Sequence, residues 1–440
     1  MLKRIAILAG IVLAFLACTK PPAGIKNANL SPVNYVVKFP SGILKAGVAS
    51  IEVTPSRAQY LAGFNFGRKS TGVHDPIYAR ALVIEKGGER LALISVDAIG
   101  IERHHFLRQY LPKIKGIPKE RVILACTHTH SAPDTIGFWG KIPGMDGRDL
   151  NWIEELTNKV GQVVEQAISD LEPVQLILGK GEVAEHGVVR NIREPKLVDR
   201  ELGVLGIYPT GSDAPKAVVV NFAMHPETLW DDNTEISADW VGYMRMYLEK
   251  WAGAKIALFF NGALGAMVTV DNLIDAEGRE LHTFEEAERV GREVAKVALR
   301  ALFSGERIKN PDVVFAKRVF YVPADNPLYN IFAHTPKITR TFYQGHFQTE
   351  INYIKIGELE ILTVPGEAYP KLGMSLKKKL KAKYKWIVGL ANDELGYLLY
   401  PEDYFNPLYS YESMASLSPR YGGAIVNMNA GNLLAELEQK

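Results

Sequence analysis

The stretch "ILACTHTHSAP", residues 123–133, passes from apolar to polar within a few residues and carries two of the chain's ten histidines, one residue apart. "VILAC", residues 122–126, has the make-up of a buried strand, and the polar run after it reads as a loop at the strand's carboxyl end. Strands that end this way point to an α/β sheet, in which the loops beyond the carboxyl ends carry the chemistry. If the strand reached residue 130, His128 and His130 would project to one face, as residues i and i+2 do in extended chain. They would then grip one metal together, or one would bind metal while the other served a substrate. A plain polar pair closing a strand is the alternative.

The same pattern recurs outward from this point. "AVVVNFAM" leads to His225, "LEILTVPG" to Glu367, and "WIVGLA" to Asn392 and Tyr397. Strand-like segments alternate with helical ones, the latter read over residues 103–112 and 150–170, in "SADWVGYMRMYLEKWA" with a serine at its N-cap, and in "TFEEAERVGREVAKVALRALF". No internal repeat or linker interrupts residues 45–440. The expected fold is α/β: a single large layered domain with mixed β-sheets flanked by helices.

Composition narrows the function. With 47% apolar and 23% charged residues and a formal net charge of +2, the 440-residue chain has the profile of a soluble globular protein and no nucleic-acid footprint. The lysine-rich residues 371–385 read as the solvated face of a helix. Of the two cysteines, Cys126 lies within an apolar run and reads as a packing residue, so no disulfide framework is expected.

The amino terminus reads as an export signal: "MLKR", then the apolar "IAILAGIVLAFLA", too short to span a bilayer comfortably. Cys18 follows at once, in a context that resembles a bacterial lipoprotein cleavage box with Phe15 in place of the usual leucine. Residues 1–17 are thus expected to be a signal peptide, Cys18 the lipidated first residue, and residues 18–44, rich in Pro, Asn and Gly, a tether. The implied location is the bacterial cell envelope, with the membrane reached through the lipid anchor.

Two imidazoles, a carboxylate and a weaker oxygen donor suit zinc with room for water, and zinc suits amide or ester hydrolysis. Each residue also has a plainer role: Glu367 as a helix cap, His225 as the end of a strand before Pro226, Tyr397 as packing.

Taken in order, the motifs resemble the catalytic N-terminal domain of the neutral/alkaline ceramidase family. "AGVASIEVTP", "GVHDPIYARALVIE", "THTHSAP", "VRNIR" with "VDRELGVLGI", "VNFAMHPETL", "ISADWVGYM", "VPGEAYPKLG" and "GLANDELGYLLYPEDY" span residues 45–425 in family order. The resemblance implies that His128, His225, Glu367 and Tyr397 hold Zn2+, with Glu394 near Tyr397. It implies that His130 holds or polarises a scissile amide and that Arg193 contacts the substrate, a small-molecule or lipid-like N-acyl compound of the sphingolipid kind.

There are departures. Gly262 in "FFNGALGAM" falls where the family serine nucleophile is expected, and Ala266 where an aspartate is expected. Water on the metal would then attack directly, with Glu227, Asp134 or Asp97 as the candidate base. The immunoglobulin-like C-terminal domain of typical ceramidases is not found after residue 425. A catalytically silent relative that keeps the metal is the second expectation. An amidohydrolase barrel would need eight regular strand–helix units, which the sequence does not show.

Overall fold

The structure is a computed structural model that describes residues 29–184, 186–327, 329 and 340–439. The signal segment and Cys18 lie outside the described residues.

Two sheets stack face to face. The larger runs, in spatial order, Ile256–Asn261, Ala217–Phe222, Glu201–Pro209, Glu172–Glu182, Lys45–Glu52, Tyr78–Lys86, Glu89–Val96 and Val122–Cys126, with Glu306–Lys309 beside Glu172–Glu182. Its outermost pair at each end is parallel and the pairs between are antiparallel. The smaller runs Val33–Lys38, Val313–Pro323, His346–Ile356, Leu359–Thr363 and Tyr384–Val388, with Phe342–Tyr343 beside His346–Ile356. Period-2 alternation sends each strand's side chains into two cores. In Tyr78–Lys86, Leu82 and Ile84 join the core between the sheets with Phe315, Ile354 and Trp386, while Ala79, Ala81 and Val83 pack with the helix Leu150–Ser169. Helices Asp239–Ala252 and Phe284–Phe303 cover the rest of that outer face, and Pro370–Lys379 and Gly422–Glu438 cover the smaller sheet. The result is a mixed α/β domain of four layers, as expected from the sequence.

Some local expectations need correction. The tether expected to run to residue 44 is already folded at Val33–Lys38, which pairs antiparallel with Val313–Pro323. Tyr35 and Val37 pack against the inter-sheet core and Val36 against the opposite core, which is the physical reason this Pro- and Asn-flanked segment is held. The helix expected to start at a serine cap begins at Asp239 after Ala238; Ser237 Oγ instead accepts the Asp239 N–H at 2.9 Å. Cys126 is buried, as expected of a packing residue.

Buried amides stitch the strand ends together. Asn261 Nδ2 donates to the carbonyls of Thr127 and Met224, each at 3.0 Å, which joins the ends of three strands of the larger sheet. Asn392, beyond the end of Tyr384–Val388, donates to Val122 O (2.9 Å) and accepts from Leu124 N (2.7 Å), which ties the smaller sheet to the strand leading to His128.

Candidate metal centre

His128 and His130 do not owe their proximity to strand alternation. The strand ends at Cys126, and His128 takes a left-handed backbone conformation, φ 71°, that costs a non-glycine residue on the order of 1–3 kcal/mol. Its backbone N–H donates to Ala98 O (2.9 Å), and its Nδ1 lies 2.5 Å from Ile99 O. A carbonyl can only accept, so Nδ1 carries the proton and Nε2 presents a lone pair. His225 repeats the arrangement: Nδ1 donates to Val268 O at 2.9 Å.

Both Nε2 atoms face one oxygen. Glu367 Oε2 lies 3.5 Å from Nε2 of His128 and 3.2 Å from Nε2 of His225. Ligands about 2.0–2.1 Å from a tetrahedral zinc stand about 3.4 Å from one another, so these separations fit a shared ion. The chemistry of the donor set fits as well. Burial would pull His225 down, but Glu227 and Glu367 carry it up to about 9, so without an ion a proton occupies the Nε2 position that a metal would take. Burial would raise Glu367, yet the charges of His128 and His225 hold it well below the usual carboxylate range. The buried carboxylate therefore demands a positive charge at this point, and a divalent ion between the lone pairs meets that demand. Carbonyls that fix the tautomers of metal-binding histidines are the usual supporting arrangement.

Tyr397 joins the group through the backbone. Glu367–Ala368 and Tyr397–Leu398 form a short parallel ladder with Glu367 paired to Tyr397. Burial, and then Glu367, push the Tyr397 phenol well above its ordinary value, so it remains a hydroxyl and a weak donor. Its oxygen also lies 3.7 Å from Met267 Sδ. Glu367 is no helix cap: the residue before the helix Pro370–Lys379 is Tyr369.

The third histidine completes a buried trio able to hold a metal: one ring nitrogen from each of His128, His130 and His225 lies within 4.8 Å of the others. His130 differs from its neighbours. Burial, then His128 and His225, hold it well below its ordinary value, so it is neutral. Neither of its nitrogens has a hydrogen-bond partner, and neither do the two oxygens of Glu227, although His130 Nδ1 and Glu227 Oε2 are 3.5 Å apart. Buried polar atoms are costly when left unpaired, so this pair is built to receive something.

The other candidate bases are occupied. Asp134 accepts backbone N–H groups from Ile136, Gly137 and Trp139 at 2.8–2.9 Å and organises its own loop. Asp97 holds both Nη atoms of Arg245 at 2.9 and 2.7 Å. Glu394, expected near Tyr397, is electrostatically linked to Glu367 and is pushed well above the carboxylate range by burial and then by Glu367. Arg193 is fixed by Nε donating to Glu412 at 2.7 Å; Tyr411, next to Glu412, sets its ring 5.8 Å from that of Tyr397. Glu412 and Tyr411 were not singled out from the sequence. They sit on the five-residue helix Ser410–Met414, and no periodicity or strand end marks them.

The loop behind the centre carries no nucleophile. Residues 262–268, "GALGAMV", contain no hydroxyl or thiol. A Cβ on Gly262 would fall 2.9 Å from Ala223 Cβ and 3.1 Å from its backbone, so that position has no room for a side chain.

Known proteins share the sequence pattern and the fold. A profile described as "Neutral/alkaline non-lysosomal ceramidase, N-terminal" matches residues 44–277. The neutral ceramidase of Pseudomonas aeruginosa is 25% identical over 276 residues, covering 57% of this chain and 41% of its own length. That of Drosophila melanogaster is 23% identical over 252 residues, covering 50% and 34%. The chain thus spans less than half the length of these curated relatives. The crystal structure of the Pseudomonas aeruginosa neutral ceramidase superposes with a TM-score of 0.74 at 18% identity, over 91% of this chain and 75% of that one. A structure titled "Ceramidase complexed with C2" gives 0.73 at 19%, over 91% and 76%. These structural matches establish a shared fold, and the profile match, which takes in both His128 and His225 and more than half of the sequence, places the chain in the neutral/alkaline non-lysosomal ceramidase family.

Proposed function

We propose that the protein is a zinc-dependent hydrolase of amide (N-acyl) bonds in the bacterial cell envelope, with His128, His225, Glu367 and Tyr397 as the metal's ligands. The observation that carries this reading is the convergence of two carbonyl-locked imidazoles on a single oxygen of Glu367. Zinc bound there would polarise the acyl carbonyl and bring the pKa of a water close to 7.

The chain's own groups supply the rest. Glu227, whose oxygens have no other partner, takes the proton from the attacking water and returns it to the leaving amine. Neutral His130 has one N–H and one lone pair to orient the amide. Arg193, anchored on Glu412, places positive charge where the oxyanion grows. Amide and water become carboxylic acid and amine with no acyl-enzyme on residues 262–268, because that loop, with Gly262 at the expected serine position, has no hydroxyl to acylate. Glu227→Gln is expected to lower kcat by about 10²–10⁴-fold while leaving zinc content unchanged, as checked by steady-state kinetics beside elemental analysis.

The direct test is release of amine from N-acyl amino-alcohol substrates before and after chelation. Turnover that disappears with chelator and returns with zinc supports the reading. Turnover indifferent to chelator overturns it. Full zinc occupancy without turnover would favour a silent, metal-binding relative, to which the absent nucleophile lends weight.

We further propose a lipid anchor at Cys18, supported by the "MLKR" n-region and apolar run before it. No helix among the described residues is long and apolar enough to cross a membrane. Expressed in a bacterium, the protein is expected in the membrane fraction with acyl mass on Cys18, and Cys18→Ser is expected to abolish both. Acylation that survives the substitution would sink the proposal.

A further inference from the structure

Resting on the assignment of His130 to the scissile amide, we propose that Arg68 is the positioning residue that fixes His130 and the loop covering it. Residues 61–68 fold over this histidine. Leu61 bridges to Pro133, and Ala62 N donates to Ala132 O at 3.0 Å. Gly63, at φ 99°, lies against the imidazole: a Cβ there would fall 2.4 Å from His130 Nδ1, so only glycine fits. Phe64 follows, its ring edge-on to His130 at 4.7 Å and tilted against Trp230 at 5.3 Å.

Arg68 closes the loop and is 7% exposed. No carboxylate among the described residues lies within ion-pair distance of it. Its guanidinium is spent on backbone carbonyls of three separate segments. Nη2 donates to Ala62 O at 2.5 Å and to His130 O, and Nη1 donates to Trp230 O at 3.2 Å and Asn233 O at 3.4 Å. The same group stands 5.0 Å over the Phe64 ring. Trp230 has a left-handed backbone, φ 55°, of the kind that persists only where surrounding contacts enforce it. A rigid planar fork can serve several carbonyls at once, which an ammonium on a flexible stem cannot do with the same geometry. None of these contacts reaches His128, His225 or Glu367. Arg68 therefore bears directly on His130, and on the proposed ligands His128 and His225 only through it.

The test uses the full chain, zinc-loaded, as Arg68→Ala and Arg68→Lys. Zinc content is expected to stay at the wild-type level in both. For Arg68→Ala, kcat is expected to fall by about 10²-fold with little change in KM, the scale of a small misplacement of a reacting group. Added guanidinium ion is expected to restore part of that loss, and methylammonium is not. Arg68→Lys is expected to fold and to lie between wild type and Arg68→Ala. Independently of activity, ring resonances of 15N-labelled histidine should shift or broaden for His130 alone in Arg68→Ala and return with guanidinium. Wild-type kcat with an unmoved His130 signal overturns the proposal. So does zinc loss or misfolding in both variants, which would mark Arg68 as generally structural. If wild type turns over no N-acyl substrate, the hydrolase reading fails, and the His130 resonances still decide the role of Arg68.

Discussion

His225→Ala is expected to leave a folded protein that no longer retains zinc: about one equivalent per chain in wild type and close to none in the variant, by elemental analysis after dialysis. Of the proposed ligands, the loss of His225, whose ring Val268 O orients, leaves His128, Glu367 and a neutral phenol. Hydrolysis of N-acyl substrates should fall on the order of 10³-fold or more, because the carbonyl and the water lose their activating ion together. Zinc held at the wild-type level by His225→Ala would remove the basis for the proposed centre. The substitution opens a cavity at a buried position, so far-UV circular dichroism should accompany the measurement.

Glu350→Gln is expected to be among the most destabilising single changes in the molecule. Glu350 is 1% exposed and sits where the two sheets and the Tyr397 loop meet. It pairs with Arg103 Nη1, with Lys317 Nζ at 2.9 Å, and accepts from Asn392 Nδ2 at 2.7 Å. Removing the negative charge strands two buried cations, a change that typically costs about 3–5 kcal/mol. Burial would raise this carboxyl, but Arg103 and Lys317 hold it far below its ordinary value of 4.5. A depressed carboxylate contributes fully above the unfolded-state value and loses that contribution as pH falls toward the folded-state one. The gap between wild type and Glu350→Gln in urea unfolding should thus be widest near pH 7 and narrow by about 2 kcal/mol at pH 3. A gap independent of pH would show that the effect is packing rather than charge.

The sheets were legible because their strands are long apolar runs with sharp polar ends, and for the same reason His128, His225 and Glu367 stood out. Tyr397 was noted after the same kind of strand, but its role came through resemblance: eight residues separate it from Val388, and what places it is a two-residue ladder with Glu367. Asp97, Asp134 and Glu227 looked alike in sequence. They differ in what surrounds them, a guanidinium, three backbone N–H groups, or an imidazole 3.5 Å away with no hydrogen bond, and that is a tertiary property. The strand Val33–Lys38 was hidden because its neighbours read as linker and its partner lies some 280 residues away. Arg68 and Glu412 act from loops and a single turn, where no hydrophobic period announces a role.

The ladder that pairs Glu367 with Tyr397 has a practical consequence for anyone dissecting the chain. A fragment cut at residue 277, where the family profile stops, would keep all three histidines of the trio and neither oxygen donor. Such a piece would lack the carboxylate and phenol proposed to complete the ligand set, so complementation by a separately expressed C-terminal half, rather than trimming to the best-matched region, is the way to test metal binding in a divided protein.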